Sequence, residues 1–282
     1  KGCRPGGGAN QRTGMVMMIK LISLDLDGTL LDPAGQITPA AKEAIARAKA
    51  AGIRVVINTG RPAQEAFGYV REGNTDTLVS ILGGAAVVDS VSGQVLRRWD
   101  IPASAARRTL ELCLNRKIAL MIFAGGQIVT DPHSKGVFLQ TYPSPAFHEH
   151  AIVAEDPAAY LEEHRLLLTK IHGEGDPKTF PLEELSALEG LTLTSSGPRD
   201  FEVVGRGVDK GRALALIATL YGIPLEQCAA VGDSGNDLEA LRAVGMPIAM
   251  GNASQAVKDA ALRVVSSNRE EGAAQAVLSC LE

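Results

Sequence analysis

Aromatic residues make up only 4% of the 282 positions, and there are only four cysteines. Cys3, Cys113, Cys228 and Cys280 show no CxxC spacing, which argues against a zinc ribbon, a redox dithiol or a disulfide framework. Cys113 and Cys228 fall in apolar segments and read as buried thiols, which fits a reducing, cytoplasmic setting. No apolar run is long enough to span a bilayer, so no membrane association is expected. Neither sign of charge dominates: 28 Lys and Arg stand against 32 Asp and Glu, for a net charge of −4. With no basic block, nucleic acid is not expected as a partner. Arg97-Arg98 and Arg107-Arg108 read as solvated faces, or as anion-recognition positions should they line a cleft. The five histidines are scattered, and His148-Glu149-His150 lacks the i,i+4 spacing or the companion cysteines of a metal pair. The remainder, 45% hydrophobic and 21% charged, is the composition of a globular protein, and the length suggests two domains.

Against this background, Leu24-Asp25-Leu26-Asp27-Gly28-Thr29 stands out. Ile19, Leu21, Ile22, Leu24 and Leu26 read as a strand of a parallel sheet, where apolar runs are nearly continuous. Two carboxylates at its end, followed by a Gly-Thr turn, mark a site, because buried charge needs a partner or a metal. Open α/β sheets also bind ligands at this edge. The pattern returns at Val231-Gly232-Asp233-Ser234-Gly235-Asn236-Asp237, after the apolar run from Cys228 and before a helical stretch. Asp237 falls where the helix macrodipole favours an acid. Thr59-Gly60-Arg61 follows a short strand, and a hydroxyl with free N–H groups in such a turn can bind a phosphoryl group, although turns routinely contain these residues. Lys210 sits at a helix start, where a cation is not favoured. Taken alone it reads as a solvated lysine.

The first half alternates strand and helix: strand 20–26, helix 39–51, strand 53–57, helix 63–72 and strand 78–82. Thr38 serves as N-cap, Pro39 opens the first helix and Gly52 ends it. Alternation of this kind predicts an α/β protein with a doubly wound, Rossmann-like parallel sheet. At Gly83-Gly84 the alternation breaks, and residues 86–199 read as an inserted α+β cap domain. That segment is expected to hold a helix over 105–114, a hairpin of 118–123 with 127–130, strands at 166–171 and 191–194, and a helix over 181–188, with a further strand at 201–204. The core is assigned to 18–85 and 200–282. Its second part is expected to run helix 210–221, strand 227–231, helix 237–244, strand 247–250, helix 254–261, strand 262–265 and helix 270–281. Residues 1–17, with Gly6-Gly7-Gly8, are expected to be a disordered tail outside the fold or an artefact of the start site.

Together the four segments resemble the haloacid dehalogenase superfamily of phosphohydrolases, in its Cof-type branch, subclass IIB. Asp25-Leu26-Asp27-Gly28-Thr29 is similar to its first motif and Thr59-Gly60-Arg61 to its second. Lys210 is similar to the third and Gly232-Asp233-Ser234-Gly235-Asn236-Asp237 to the fourth. The segment from Val244 to Ala253 is similar to the stretch that follows the fourth motif. The chain departs from the pattern at Gly83-Gly84-Ala85, where the branch often has Asn-Gly-Ala, so an amide that can touch substrate or cap is missing.

The resemblance implies a Mg²⁺-dependent phosphatase acting on a small phosphorylated metabolite, a sugar phosphate or similar monoester, through an aspartyl-phosphate. It implies Asp25 as nucleophile and Asp27 as general acid, then base. Thr59, Gly60, Lys210 and Asn236 would bind the phosphoryl oxygens. Mg²⁺ would be held by the Asp25 carboxylate, the Asp27 carbonyl and the Asp233 carboxylate, with Asp237 behind them orienting Lys210 or a water. Two alternatives stay open: a phosphotransferase or phosphomutase using the same intermediate, and a non-catalytic Mg²⁺ and phosphate binder. Tyr142, Phe147, His148 and Arg199 are polar or aromatic candidates in the cap, none assigned a role. The oligomeric state is not legible.

Overall fold

The computed structural model describes residues 18–142, 144–195 and 197–282; the expected tail over 1–17, with Cys3, lies outside the described residues. The chain opens with β1 (Leu21–Leu24), α1 (Pro39–Ala50), β2 (Arg54–Ile57), α2 (Ala63–Glu72) and β3 (Leu78–Ile81). A hairpin of β4 (Ala86–Asp89) and β5 (Val95–Arg98) follows. Next come α3 (Ala103–Asn115), β6 (Ala119–Ala124), β7 (Gln127–Thr130), α4 (Pro132–Thr141), α5 (Pro145–His150), β8 (Ala151–Val153), α6 (Pro157–Glu163), β9 (Leu168–Glu174), α7 (Leu182–Ser186), β10 (Leu191–Thr194) and β11 (Asp200–Gly205). The chain closes with α8 (Lys210–Leu220), β12 (Cys228–Gly232), α9 (Leu238–Ala243), β13 (Met246–Ala249), α10 (Gln255–Asp259), β14 (Arg263–Val264) and α11 (Gly272–Ser279).

The core is a parallel sheet in the order β14-β13-β12-β1-β2. A parallel bridge between Asn58 and Ser80 brings β3 alongside β2. Because side chains alternate across a strand, Ile22 and Leu24 pack with Ile45 of α1 and Val277 of α11, while Leu21 packs with Leu214 and Ile217 of α8 and Leu241 of α9. Helices on both faces make the sheet doubly wound, as the apolar runs predict. Its strands bury both faces, which explains why they read as continuous rather than alternating.

A second sheet, β10-β11-β9-β6-β7-β8, is antiparallel except for the parallel β7–β8 edge pair. Leu120 and Ile122 of β6 face α3, whereas Met121 and Phe123 face the core. The sheet thus has one face covered by its own helices and one turned toward the parallel sheet. The β4–β5 hairpin hydrogen-bonds to β3, and β11 pairs with β9 and β10 in the second sheet.

Most expected elements form within a residue or two of their bounds. Six do not figure in the sequence reading: β4, β5, α4, α5, α6 and β8. Each of the three helices begins with proline after a side chain that caps it. Asp131 accepts from the Ser134 N–H at 3.0 Å, Ser144 from Phe147 at 3.4 Å and Asp156 from Ala159 at 3.0 Å.

Candidate active site

β1, β2 and β12 are neighbours, so the residues that follow them are brought together at one sheet edge: Asp25, Thr59 and Asp233. After Leu24 the chain leaves the sheet in a tight turn over Leu26–Leu30. Gly28 takes φ +76° there, and a Cβ at this position would stand 2.4 Å from the Asp233 carboxylate. The turn therefore needs glycine, both for the left-handed backbone and for close approach. Thr29 Oγ1 donates to Asp233 Oδ1 at 3.0 Å, tying the first segment to the last.

At the centre lies Lys210, 1% exposed. Its Nζ donates to Asp25 Oδ1 at 2.7 Å and Asp237 Oδ1 at 2.6 Å. Burial works against the ammonium, but Asp237 and then Asp25 outweigh it and raise its pKa above the ordinary lysine value. The solvated lysine expected from the isolated residue is not what forms: two carboxylates override the unfavourable helix start. Asp237 Oδ2 accepts from the N–H groups of Asp233 and Ser234, both at 3.0 Å. Both oxygens of Asp237 are thus engaged, one fixing the lysine and the other fixing the Asp233 loop. Gly232 permits this approach, since a Cβ there would lie 2.4 Å from the Asp237 carboxyl carbon.

Asp25, Asp233 and Asp237 each present a carboxylate oxygen, all within 4.8 Å of one another. Burial, then the neighbouring Asp237, pushes Asp233 up to about 6. Burial likewise raises Asp25 well above its ordinary value, despite Lys210. Three carboxylates facing one ammonium is an excess of negative charge that suits a divalent cation. An all-oxygen donor set fits a hard ion rather than a soft one.

Asp27 has a different partner. Its carboxylate is gripped by Arg61, with Nη2 at 2.6 Å and Nε at 2.8 Å, the two-pronged geometry that suits guanidinium and carboxylate. Arg61 also donates to Glu65 at 3.0 Å, and the Tyr142 hydroxyl, from the second sheet's layer, lies 2.8 and 3.0 Å from the two Glu65 oxygens. A continuous chain therefore runs from Asp27 to the far layer.

Thr59 is fully buried, its N–H donating to Ser80 O at 2.9 Å and its hydroxyl oxygen accepting from the Arg61 N–H at 3.1 Å. The Gly60 carbonyl accepts from Lys170 Nζ of β9 at 3.3 Å. Lys170 pairs with Glu202 of β11 at 2.7 Å, both buried. Asn236 Oδ1 accepts from the Ser234 hydroxyl at 2.9 Å.

A cavity of about 500 Å³ lies between the two sheets. Asp25, Asp27, Gly60, Asp233 and Asn236 line its floor, and Phe123, Tyr142, Phe147, His172, Glu174 and Arg199 are among the residues lining it from the other layer. Of the four cap candidates, Tyr142, Phe147 and Arg199 reach it; His148 Nε2 instead lies 2.7 Å from the Tyr142 carbonyl. The arginine pairs lie elsewhere. Arg98 binds Asp100 at 2.8 Å and Arg108 binds Glu111 at 3.1 Å. The sequence reading missed Glu65, Lys170, His172 and Glu202. For Lys170 and Glu202 a signal exists, a charge set between apolar neighbours in a strand.

A family model for haloacid dehalogenase-like hydrolases matches residues 22–277. The chain is 31% identical over 284 residues to the phosphatase YwpJ of Bacillus subtilis strain 168, a match covering 91% of this chain and 98% of that protein. It is 29% identical over 274 residues to the pyridoxal phosphate phosphatase YbhA of Escherichia coli K12, covering 94% and 100%. Among solved structures, the phosphatase BT1666 from Bacteroides thetaiotaomicron matches with a TM-score of 0.81 at 27% identity, covering 97% of this chain and 99% of that one.

Proposed function

The chain belongs to the haloacid dehalogenase-like hydrolase family, and from that premise we propose that it is a Mg²⁺-dependent phosphatase cleaving a sugar phosphate or similar small monoester. The family's phosphoaspartate chemistry needs a nucleophilic carboxylate, a proton carrier and positive charge around the phosphoryl group. In this reading an Asp25 oxygen bonds to phosphorus as the ester P–O bond breaks. The electron pair stays on the leaving oxygen, which takes a proton from Asp27. Asp27 is then ionised and removes a proton from water, whose oxygen attacks the aspartyl-phosphate and releases inorganic phosphate.

Lys210 neutralises charge on the phosphoryl oxygens, and the Thr59 hydroxyl, Gly60 N–H and Asn236 amide donate to them. Asp237 holds Lys210 and the Asp233 loop in place. The Asp25 and Asp233 carboxylates and the Asp27 backbone carbonyl would hold the Mg²⁺. When bound it supplies positive charge that one ammonium among three carboxylates cannot. The second sheet acts as the cap, from α3 through β11, with the β4–β5 hairpin staying on the core. Roofing the cavity, it excludes water and surrounds the leaving group.

No helix among the described residues is long and apolar enough to cross a membrane. The three described cysteines are buried free thiols, which supports a reducing, cytoplasmic setting.

The observation that carries this reading is Lys210 bridging Asp25 and Asp237 beside Asp233. The test is a panel of phosphorylated metabolites with Mg²⁺, scored for free phosphate. Release is expected from the wild type and none from Asp25→Asn. Turnover retained in that variant would remove Asp25 as nucleophile, and a phosphorylated product in place of phosphate would make the protein a transferase.

A further inference from the structure

We propose that Lys170, on the cap strand β9, is a positioning residue for the phosphate cradle of the core, acting through one peptide group on the Thr59 hydroxyl. The inference rests on the reading of Thr59 as a donor to the phosphoryl group. Lys170 is 1% exposed, an ammonium carried from the cap into a core loop. Glu202 at 2.7 Å balances its charge and fixes its direction. A further contact of the ammonium, at 3.3 Å, is the carbonyl of Gly60.

That carbonyl and the N–H of Arg61 belong to the same planar peptide. The Arg61 N–H donates to Thr59 Oγ1 at 3.1 Å. Holding the carbonyl end of the plane therefore sets the direction of its N–H end. A hydroxyl whose oxygen already accepts from the loop keeps its own hydrogen for another acceptor. The Thr59 backbone is anchored from the opposite side, its N–H donating to Ser80 O at 2.9 Å. Lys170 and Ser80 thus clamp the loop between them, and the free direction of the Thr59 O–H follows from that clamp. Seating the cap would in this way complete a donor that belongs to the core.

Lys170→Met alone strands the Glu202 carboxylate in a buried site and endangers the fold. The working variant is therefore the neutral pair K170M/E202M, compared with T59V and with the triple variant. The readout is the inhibition constant of orthovanadate, a phosphoryl mimic, against p-nitrophenyl phosphate hydrolysis in Mg²⁺, with melting temperatures recorded alongside. The neutral pair and T59V are each expected to weaken inhibition about tenfold, the scale of one hydrogen bond. The triple variant is expected to match T59V alone, because no hydroxyl is left to orient. Undiminished inhibition in K170M/E202M overturns the proposal. So does a triple variant showing the full product, about a hundredfold, because independent sites add in free energy. T59V without any loss would instead remove Thr59 from the cradle, a failure of the proposed function on which this inference stands.

Discussion

Lys210 and Lys170 invite comparison. Both are 1% exposed, and both are held by carboxylates at 2.6–2.7 Å, yet their surroundings differ in charge. In the core, Lys210 sits among three carboxylates and cannot neutralise them. In the cap, Lys170 meets one, Glu202, with His172 3.7 Å from the same carboxylate. The cap pair is electrically complete, and its ammonium reaches the core at the Gly60 carbonyl. The core cluster is left with negative charge in excess, which suits a divalent cation; burial, and then the neighbouring Asp237, raises the proton affinity of Asp233. The difference is between a buried pair that closes a contact and a buried cluster that waits for a ligand.

The sharpest way to break this contrast is to delete each ammonium. Lys210→Met should lower kcat/KM on the order of a thousandfold, as loss of a charge-stabilising donor does, and destabilise the protein by about 3–5 kcal/mol. Lys170→Met should cost similar stability, but K170M/E202M should recover most of it, since an apolar pair can replace a balanced ion pair. Steady-state kinetics and urea unfolding decide both. Were the double cap variant as unstable as Lys170→Met, the cap pair would not be a closed unit.

Next in size is the cation. Chelation should bring phosphate release to background. Mg²⁺ at about a hundred times its dissociation constant should stabilise the wild type by about 2.7 kcal/mol. Asp233→Asn should lose most of that gain in thermal unfolding, whereas Glu202→Gln should keep it. Equal gains in both variants would place the ion outside the three-aspartate cluster.

The contrast also explains what was legible beforehand. Asp25 and Asp233 end runs so apolar that a carboxylate had to mean something, and both faces of the parallel sheet are buried, so its strands announced themselves. The knot around Lys210 was not legible from Lys210, whose helix start argued for solvent; only the other motifs gave it meaning. In the cap, α4 has the sequence PHSKGVFLQT, with no apolar stripe to reveal a helix. Its start was nonetheless written as Asp131-Pro132, with Ser144-Pro145 and Asp156-Pro157 repeating the device that Thr38-Pro39 had shown. Lys170 and Glu202 lie 32 residues apart on strands joined only by tertiary pairing. Each alone was one charge in a strand, and no local rule told which opposite charge would meet it. Arg61 belongs to the second motif, but its hold on Asp27 depends on a turn at Gly28 whose direction the sequence does not state.

A smaller effect separates the two regions by acid. Burial opposes the charge of Glu202, but Lys170 and then His172 outweigh it and hold its pKa well below the ordinary 4.5. The unfolded chain therefore binds this proton first. The stability that the pair contributes is present above about pH 4.5 and lost as pH falls below it. Hydrogen-exchange protection in β9 and β11, taken relative to the intrinsic rate, should fall over that range in the wild type. In Glu202→Gln, less stable at neutral pH, the fall should be flatter. An equally steep fall would assign the acid sensitivity to other carboxylates.

The smallest expected effect probes the link between the regions. Tyr142 reaches from the cap to both oxygens of Glu65, at 2.8 and 3.0 Å, and Glu65 in turn holds the arginine that grips Asp27. Tyr142→Phe removes the hydroxyl but keeps the ring against Phe147, 5.7 Å between centroids. Glu65 retains Arg61, so the cost is about 1 kcal/mol, one hydrogen bond net of solvent. If the cap serves mainly to hold the leaving group, KM should rise about fivefold at nearly constant kcat, because ground and transition states lose the contact alike. If instead kcat falls by that factor while KM stays, the chain from Tyr142 to Asp27 acts on proton transfer. A substrate pair decides between these. p-Nitrophenyl phosphate, whose leaving group needs little protonation, should then escape the loss that an alkyl phosphate suffers, since only the latter depends on where Asp27 points.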